Sequence, residues 1–515
     1  MNLMPILLSD FYKLSHIAQA PESQTSNHST WTCRMSRIPG INHTIAFGMR
    51  GLMQEWFIKY FNKHFFNANL DDILEQFRRV NAGGLGILCP DDSHIIALHD
   101  LGYLPIEVCA LPEGTRVPIR VPTFTMRNTH PNFAWIVGAL EDLVSCETWS
   151  AMTVATIAGE FRRILDQYAI ETTGSTEGVD FQAHDFSMRG MNGIHHSMKA
   201  NSGHLLSFLG TDAIPSLFYL EWHYDGCMDN LGIGGSIPAT EHSVECAHMP
   251  DDHDEYAQTK RLLTEIYPVG LFSRVCDTFD FWNFVTTTVP SLKKEIMARD
   301  GKFVIRPDSG DPVDIICGTS PHAFPTDTKW LNYTNQDDLS DVAEIKGLIE
   351  VLWDIFGGTT NDLGYKVLDP HVGAIYGDSI TLERAELICK KLKDKGFAST
   401  NIVLGIGSYS YAYNTRDTFG MAFKSTYITL RGENGEVIEK MISKDPKTDD
   451  GVKKSAKGLV AVVMGKSGEL ELVDNLLQLE KQFLVEEDLL RPIFKNGRMV
   501  TKDTLAEIRE RMERG

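Results

Sequence analysis

The hydrophobic pattern changes character twice along the chain. Up to about residue 145, helical stretches such as 47–65 alternate with short β-like runs at 105–111 and 115–121. From 147 to 168 apolar residues recur at helical spacing, which predicts one long helix opening a middle region. There the pattern becomes a short apolar run, a polar or glycine loop, and an amphipathic helix. Val372 to Tyr376 reads as a buried strand and Gly377, Asp378 and Ser379 as a tight loop. Ala385, Ile388, Cys389 and Leu392 then share one face of a helix. Ile402 to Ile406, followed by small residues, and Phe303 to Ile305, followed by a polar loop, repeat that order, with a further helix expected from Thr415 onward. Strand–loop–helix units in series predict a parallel sheet with helical crossovers, with chemistry on the loops at the C-terminal strand ends. After residue 425 β-rich patterning returns. Segments 425–430 and 436–442 flank a glycine turn and read as a hairpin, and Thr504 with Glu507 forms a capping box for a last helix. The predicted fold class is α/β: a barrel-like central parallel β/α domain over 146–425, plus an α+β domain formed by the two chain ends, 1–145 and 426–515.

Composition narrows the function classes. The 515 residues are 43% apolar and 23% charged, the balance of a globular protein with a large core. A formal net charge of −20 opposes binding to nucleic-acid backbones or anionic membranes, and no apolar run is long enough to span a bilayer. The N-terminal stretch lacks the basic start of a signal peptide. Nine cysteines without CxxC spacing fit reduced thiols in a cytoplasmic setting.

Several segments carry candidate chemistry, each with a plainer alternative. Arg306, Pro307, Asp308, Ser309 and Gly310 follow a predicted strand. The arginine suits phosphate oxygens and the aspartate suits ribose hydroxyls or Mg²⁺, while the same residues also make an ordinary turn. Gly405, Gly407 and Ser408, with Arg416 beyond, form either a phosphate cradle or a common glycine turn. Gly377 and Asp378 give a third strand-end pair. Phe186 could stack on a flat ring with Arg189 on phosphate, or both could be structural. Glu241 beside His242 pairs a carboxylate with a group able to act as acid, base or phosphate-accepting nucleophile, although most lone histidines are structural. The lysine-rich stretch 444–457 is either a solvated loop or counter-charge for anionic substrates.

Taken in order, these segments resemble the nicotinamide phosphoribosyltransferases of the type II phosphoribosyltransferase group. The match runs through Ser9 to His16, His184 to Phe186 with Arg189 and Gly190, Gly210 to Asp212, Pro238 to Ser243, and Ile305 to Gly310. It continues through Tyr376 to Asp378, Thr415 to Asp417, Lys444 to Pro446, Lys453 to Gly458, and Pro492 to Gly497. The resemblance implies transfer of phosphoribose from 5-phosphoribosyl-1-diphosphate to nicotinamide, with Mg²⁺ as cofactor, ATP as co-substrate, and a homodimer with sites at the subunit interface. It implies a ring sandwich between Phe186 and Tyr12 of a second subunit, with Asp212 on the carboxamide, a carboxylate that disfavours nicotinate. It also implies that ATP phosphorylates His242, oriented by Glu241 and Asp280. Arg189, His242 and Arg306 would hold the diphosphate; Asp308, Gly377 and Asp378 the ribose; Ser408 and Arg416 the 5′-phosphate; Lys424 and Lys453 further phosphate oxygens. Two departures stand out: Ser408 where the family's phosphate loop has glycine, and Cys276 where serine is usual. The alternatives are a nicotinate phosphoribosyltransferase and a non-catalytic nucleotide-binding protein of the same fold.

Overall fold

The computed structural model describes residues 3–248, 255–319, 342–377, 379–444, 446, 448 and 454–514. Two sheets organise it. The first is seven-stranded and draws on both ends of the chain. In spatial order it runs Val437–Met441, Ala422–Arg431, Gln24–Thr32, Pro122–Asn128, Ile106–Ala110, Arg491–Lys495 and Arg498–Met499. Gln24–Thr32 pairs antiparallel with Ala422–Arg431 on one side and Pro122–Asn128 on the other, so residues nearly 400 apart in sequence lie side by side. The expected hairpin is present, with Tyr427 to Arg431 facing Met441 to Val437.

The second sheet is six-stranded and parallel, in the order Gly210–Thr211, Ala183–Asp185, Ile402–Ile406, Val372–Tyr376, Phe303–Arg306 and Phe272–Val275. Segment 235–239 joins its two edges: Gly235 bridges to Gly210 and Ala239 to Ser273. The Thr211 N–H donates to the Gly235 carbonyl and the Ser273 N–H to the Pro238 carbonyl, each at 2.9 Å. The sheet therefore curls towards a barrel. Its strands are almost wholly buried, as expected of parallel strands covered on both faces.

One helix, Glu141–Thr173, serves both units. At 33 residues it spans about 50 Å. Leu143, Val144 and Met152 nearer its start pack into the core of the antiparallel sheet, while Val154, Ile157, Phe161 and Leu165 further along pack into the core of the parallel sheet. Glu141 and Asp142 suit its N-terminal dipole, and Gly174, at φ 76°, ends it in the left-handed conformation that glycine adopts without strain. The helix expected from Thr415 is replaced by a short helix, Ser408–Tyr411, directly after the strand, and a single 3-10 turn, Arg416–Thr418. The Thr415 hydroxyl caps that turn at the Asp417 N–H, and Gly420, at φ 55°, redirects the chain into strand Ala422–Arg431. The predicted capping box is present: the Thr504 N–H donates to Glu507 Oε2 at 2.8 Å and the Glu507 N–H to Thr504 Oγ1 at 3.3 Å. All nine cysteines are free thiols, and among the described residues no helix is long and apolar enough to cross a membrane.

Candidate active site

The C-terminal ends of the parallel strands converge, and their loops carry most of the residues singled out from sequence. Strand Ala183–Asp185 ends on a fully buried carboxylate. Asp185 accepts hydrogen bonds from the Ser187 N–H (2.9 Å), the Ser187 hydroxyl (2.7 Å) and Asn201 Nδ2 (2.5 Å), which fixes the loop that follows. That loop presents Phe186, whose N–H donates to the Ile406 carbonyl at 2.9 Å. The Phe186 ring lies over Gly405, where a Cβ would approach it to 2.7 Å. The same Cβ would approach the Tyr376 carbonyl to 2.6 Å, so Gly405 makes room for both the ring and the neighbouring strand.

Beside Phe186 sits a carboxylate held from two sides. His184 Nε2 donates to Asp212 Oδ1 at 2.9 Å and the Ser236 hydroxyl donates to the same oxygen at 2.5 Å. The His184 and Phe186 ring centroids are 4.6 Å apart. Parallel pairing of His184 with Gly210 brings this about, since a Cβ at Gly210 would approach the imidazole Nδ1 to 2.8 Å. Burial pushes the Asp212 carboxyl up, but the His184 hydrogen bond and charge, the Ser236 hydroxyl and the Arg306 charge outweigh it and hold the group below its ordinary value. Oδ2 has no hydrogen-bond partner among the described residues, and the side chain is 46% exposed. The result is an ionised acceptor with one free oxygen next to an aromatic face.

Around His242 three more strand ends meet. His242 Nδ1 lies 3.0 Å from Thr278 Oγ1, and Nε2 lies 3.7 Å from Asp277 Oδ1 and 3.8 Å from Asp308 Oδ2. Asp277 Oδ2 accepts the Asp308 N–H (2.8 Å) and the Ser309 hydroxyl (2.5 Å), while its buried Oδ1 has no hydrogen-bond partner. Arg306 ends its strand with Nη2 on the Thr240 carbonyl and a buried, unpartnered Nε. The Gly377 N–H donates to the Pro307 carbonyl at 3.2 Å, and a Cβ at Gly377 would come within 2.6 Å of Asp308 Oδ1, so these two residues are adjacent.

Glu241 and Asp280 are not among the described hydrogen-bond or ion-pair partners of the His242 imidazole. Glu241 accepts the Ser243 hydroxyl, and Asp280 caps helix Phe281–Asn283 through the Asn283 N–H at 3.0 Å. The side chains grouped around His242 are Thr278, Asp277 and Asp308. Ser408 packs against the loop bearing Arg189, since a Cβ at Gly190 would meet the Ser408 side chain at 2.2 Å. Arg189 is exposed, and its guanidinium has no partner among the described residues. Arg416 is exposed and lies 3.4 Å from Asp417. Lys424 pairs with Glu141 at 2.7 Å, a carboxylate shared with Lys13. Tyr12 is 54% exposed and contacts His16. Asp378 and Lys453 lie outside the described residues.

Sequence reasoning assigned no role to His184, Ser236, Asp277 or Thr278. Asp277 and Thr278 directly follow a strand of the parallel sheet, and that position is the signal that could have found them. His184 and Ser236 are revealed by strand pairing alone.

Comparison with known proteins places the chain in a family. The nicotinate phosphoribosyltransferase (NAPRTase) family matches residues 181–498, more than half of the chain and the part that carries most of the site. A nicotinamide phosphoribosyltransferase of Acinetobacter baylyi is 42% identical over 99% of this chain and 97% of its own length. Another, of Mycoplasma pneumoniae, is 31% identical over 86% of this chain and 94% of its own. Among solved structures, nicotinate-nucleotide pyrophosphorylase from Pyrococcus furiosus superposes with a TM-score of 0.54 at 14% identity, covering 99% of this chain and 95% of that one. Human nicotinic acid phosphoribosyltransferase superposes at 0.50 and 16% identity, covering 98% and 93%. These last two likenesses are of fold. On the sequence match across most of its length, the chain belongs to the nicotinate phosphoribosyltransferase family.

Proposed function

We infer that this chain is a nicotinamide phosphoribosyltransferase of NAD salvage, which joins nicotinamide to the ribose of 5-phosphoribosyl-1-diphosphate and releases diphosphate. The observation that carries the choice of base is Asp212. Its free Oδ2 can accept a carboxamide N–H while Phe186 covers the ring, whereas the carboxylate of nicotinate would bring a second negative charge to the same oxygen. With the ring fixed, its nitrogen lone pair attacks C1 of the ribose. The C1–O bond breaks with its electrons leaving on the diphosphate, through an oxocarbenium-like centre. No proton need move at C1, so the protein's task is positioning and charge stabilisation.

In this reading Arg306, Arg189 and His242 take the diphosphate, Asp308 and Gly377 the ribose, and Ser408 with Arg416 the 5′-phosphate. Asp277 and Asp308 suit Mg²⁺, which is commonly held by one or two carboxylates together with substrate phosphates, and the buried orphan Oδ1 of Asp277 is a donor awaiting such a partner. The ion would neutralise charge on the departing diphosphate. ATP would transfer its γ-phosphoryl group to His242 Nε2, releasing ADP, because Nδ1 is engaged by Thr278.

A homodimer completes the ring site. Tyr12 is exposed, and Ile214, Phe218 and Trp222 form an exposed apolar stripe on helix Ile214–Tyr224, which begins just after Asp212. A second copy covering that stripe would supply Tyr12 opposite Phe186. The test is mononucleotide formation by purified protein with Mg²⁺ and the phosphoribosyl donor, offering nicotinamide and nicotinate separately, with and without ATP. Product from nicotinamide, raised by ATP, supports the whole reading. Product mainly from nicotinate overturns the role of Asp212, and product unaffected by ATP overturns that of His242.

A further inference from the structure

Behind His242 lies a group of charges that the reaction itself does not use. Arg274 is fully buried in strand Phe272–Val275, and its Nη2 donates to Glu245 Oε2 at 2.8 Å. Glu245 is also fully buried and lies one turn after His242 on helix His242–His248. Both terminal nitrogens of Arg274 lie 3.4 Å from Glu255 Oε1 on the next described helix, Glu255–Arg261. The guanidinium sits 4.4 Å from the centroid of the Phe284 ring. Burying charges at this depth is costly even when they are paired, and replacing buried ion pairs by apolar residues of similar volume is often neutral or stabilising. The group therefore calls for a reason other than stability.

Its placement supplies one. The strand that carries Arg274 continues into Asp277 and Thr278, the residues next to the His242 imidazole, and Glu245 sits on the helix that His242 opens. Arg274 thus ties the element bearing the imidazole to the element bearing the imidazole's neighbours. A guanidinium fork fixes direction as well as distance, which apolar packing does less strictly.

We propose that Arg274, Glu245 and Glu255 form a buried positioning group that sets the His242 imidazole against Asp277, Thr278 and Asp308. This rests on the reading of His242 as a diphosphate-binding and phosphoryl-accepting group. The three residues touch no substrate and act through His242.

The test compares Glu245→Ala and Glu245→Gln with the parent enzyme. It reads the Kd of the phosphoribosyl donor by calorimetry, kcat and KM without ATP, and the rate of protein labelling by γ-labelled ATP. Glu245→Ala is expected to raise donor Kd and KM about tenfold, to leave kcat within about twofold, and to slow labelling about tenfold, since misplacement by a fraction of an ångström has effects of this order. Glu245→Gln, which keeps a hydrogen bond to Arg274, recovers most of each. If Glu245→Ala does not fold, Glu255→Ala takes its place with a smaller effect in the same direction. Parental donor Kd and labelling in a folded variant would overturn the proposal, as would kcat falling in step with donor affinity and melting temperature. If the parent is never labelled but donor Kd shifts as expected, the phosphohistidine reading fails and the positioning group stands.

Discussion

At the strand ends, the Asp212 carboxylate is held by His184 and Ser236 beside the Phe186 ring before any substrate arrives. Arg189, on the same loop as Phe186, and Arg416 are instead exposed to solvent, and Arg189 has no hydrogen-bond or ion-pair partner among the described residues. In the proposed function these two halves of the site serve ligands of opposite character. A small neutral amide offers little binding energy and many near-analogues, so discrimination comes from a fixed, ionised acceptor left unsatisfied by the wrong base. Phosphate groups offer strong charge, and solvated arginines can meet them with little preorganisation. In a chain of net charge −20, such local cations also draw anionic substrates against the overall field.

The largest expected break in this contrast is Asp212→Ala. Losing a charged acceptor should lower kcat/KM for nicotinamide about 100-fold and leave the donor KM unchanged, by steady-state kinetics on each substrate in turn. A matching rise in donor KM would merge the two halves into one. Arg189→Ala is the opposite probe: donor KM should rise about tenfold with nicotinamide KM and melting temperature unaltered, because the side chain is exposed and has no described hydrogen bond or ion pair.

The third probe is pH. Asp212 is ionised down to below its ordinary value of 3.8, so nicotinamide binding should be present above that pH and be lost as pH falls through the lowered folded value. In His184→Ala the largest influence, burial, is opposed by less, and the acid limb of the profile for nicotinamide kcat/KM should move to higher pH. An unmoved limb would show that His184 does not hold the carboxylate. The smallest effect concerns Ser408. Gly190→Ala should clash with its side chain and raise donor KM several-fold, and Gly190→Ala/Ser408→Gly should restore it, as expected for two residues in direct contact.

How much of this was legible beforehand follows from local signal strength. Strands Phe303–Arg306, Val372–Tyr376 and Ile402–Ile406 announce themselves as apolar runs ending in polar loops, so Arg306, Asp308 and Gly377 could be placed at strand ends from sequence. Ala183–Asp185 and Gly210–Thr211, of three and two residues, are too short for periodicity, and the edge-joining segment 235–239 has no regular pattern. The His184–Asp212–Ser236 contact is created by the pairing of exactly those pieces and had no signal of its own. Asp280 and Asp277 differ in the same way: the sequence offers both as carboxylates after one strand, and only the fold shows that Asp280 caps helix Phe281–Asn283 while Asp277 lies beside His242. The sheet built from both chain ends was foreseeable because β segments after residue 425 needed partners, although the pairing of Gln24–Thr32 with Ala422–Arg431 could not be read from either alone.

In the proposed function a carboxylate fixed by His184 and Ser236 selects the neutral base. That selection is read from the ratio of kcat/KM for nicotinamide to that for nicotinate, measured in the parent enzyme and in Asp212→Asn. The ratio should be well above one in the parent and fall at least about tenfold in the variant, whose amide no longer repels an anion. An unchanged ratio, or a parent that prefers nicotinate, would contradict it.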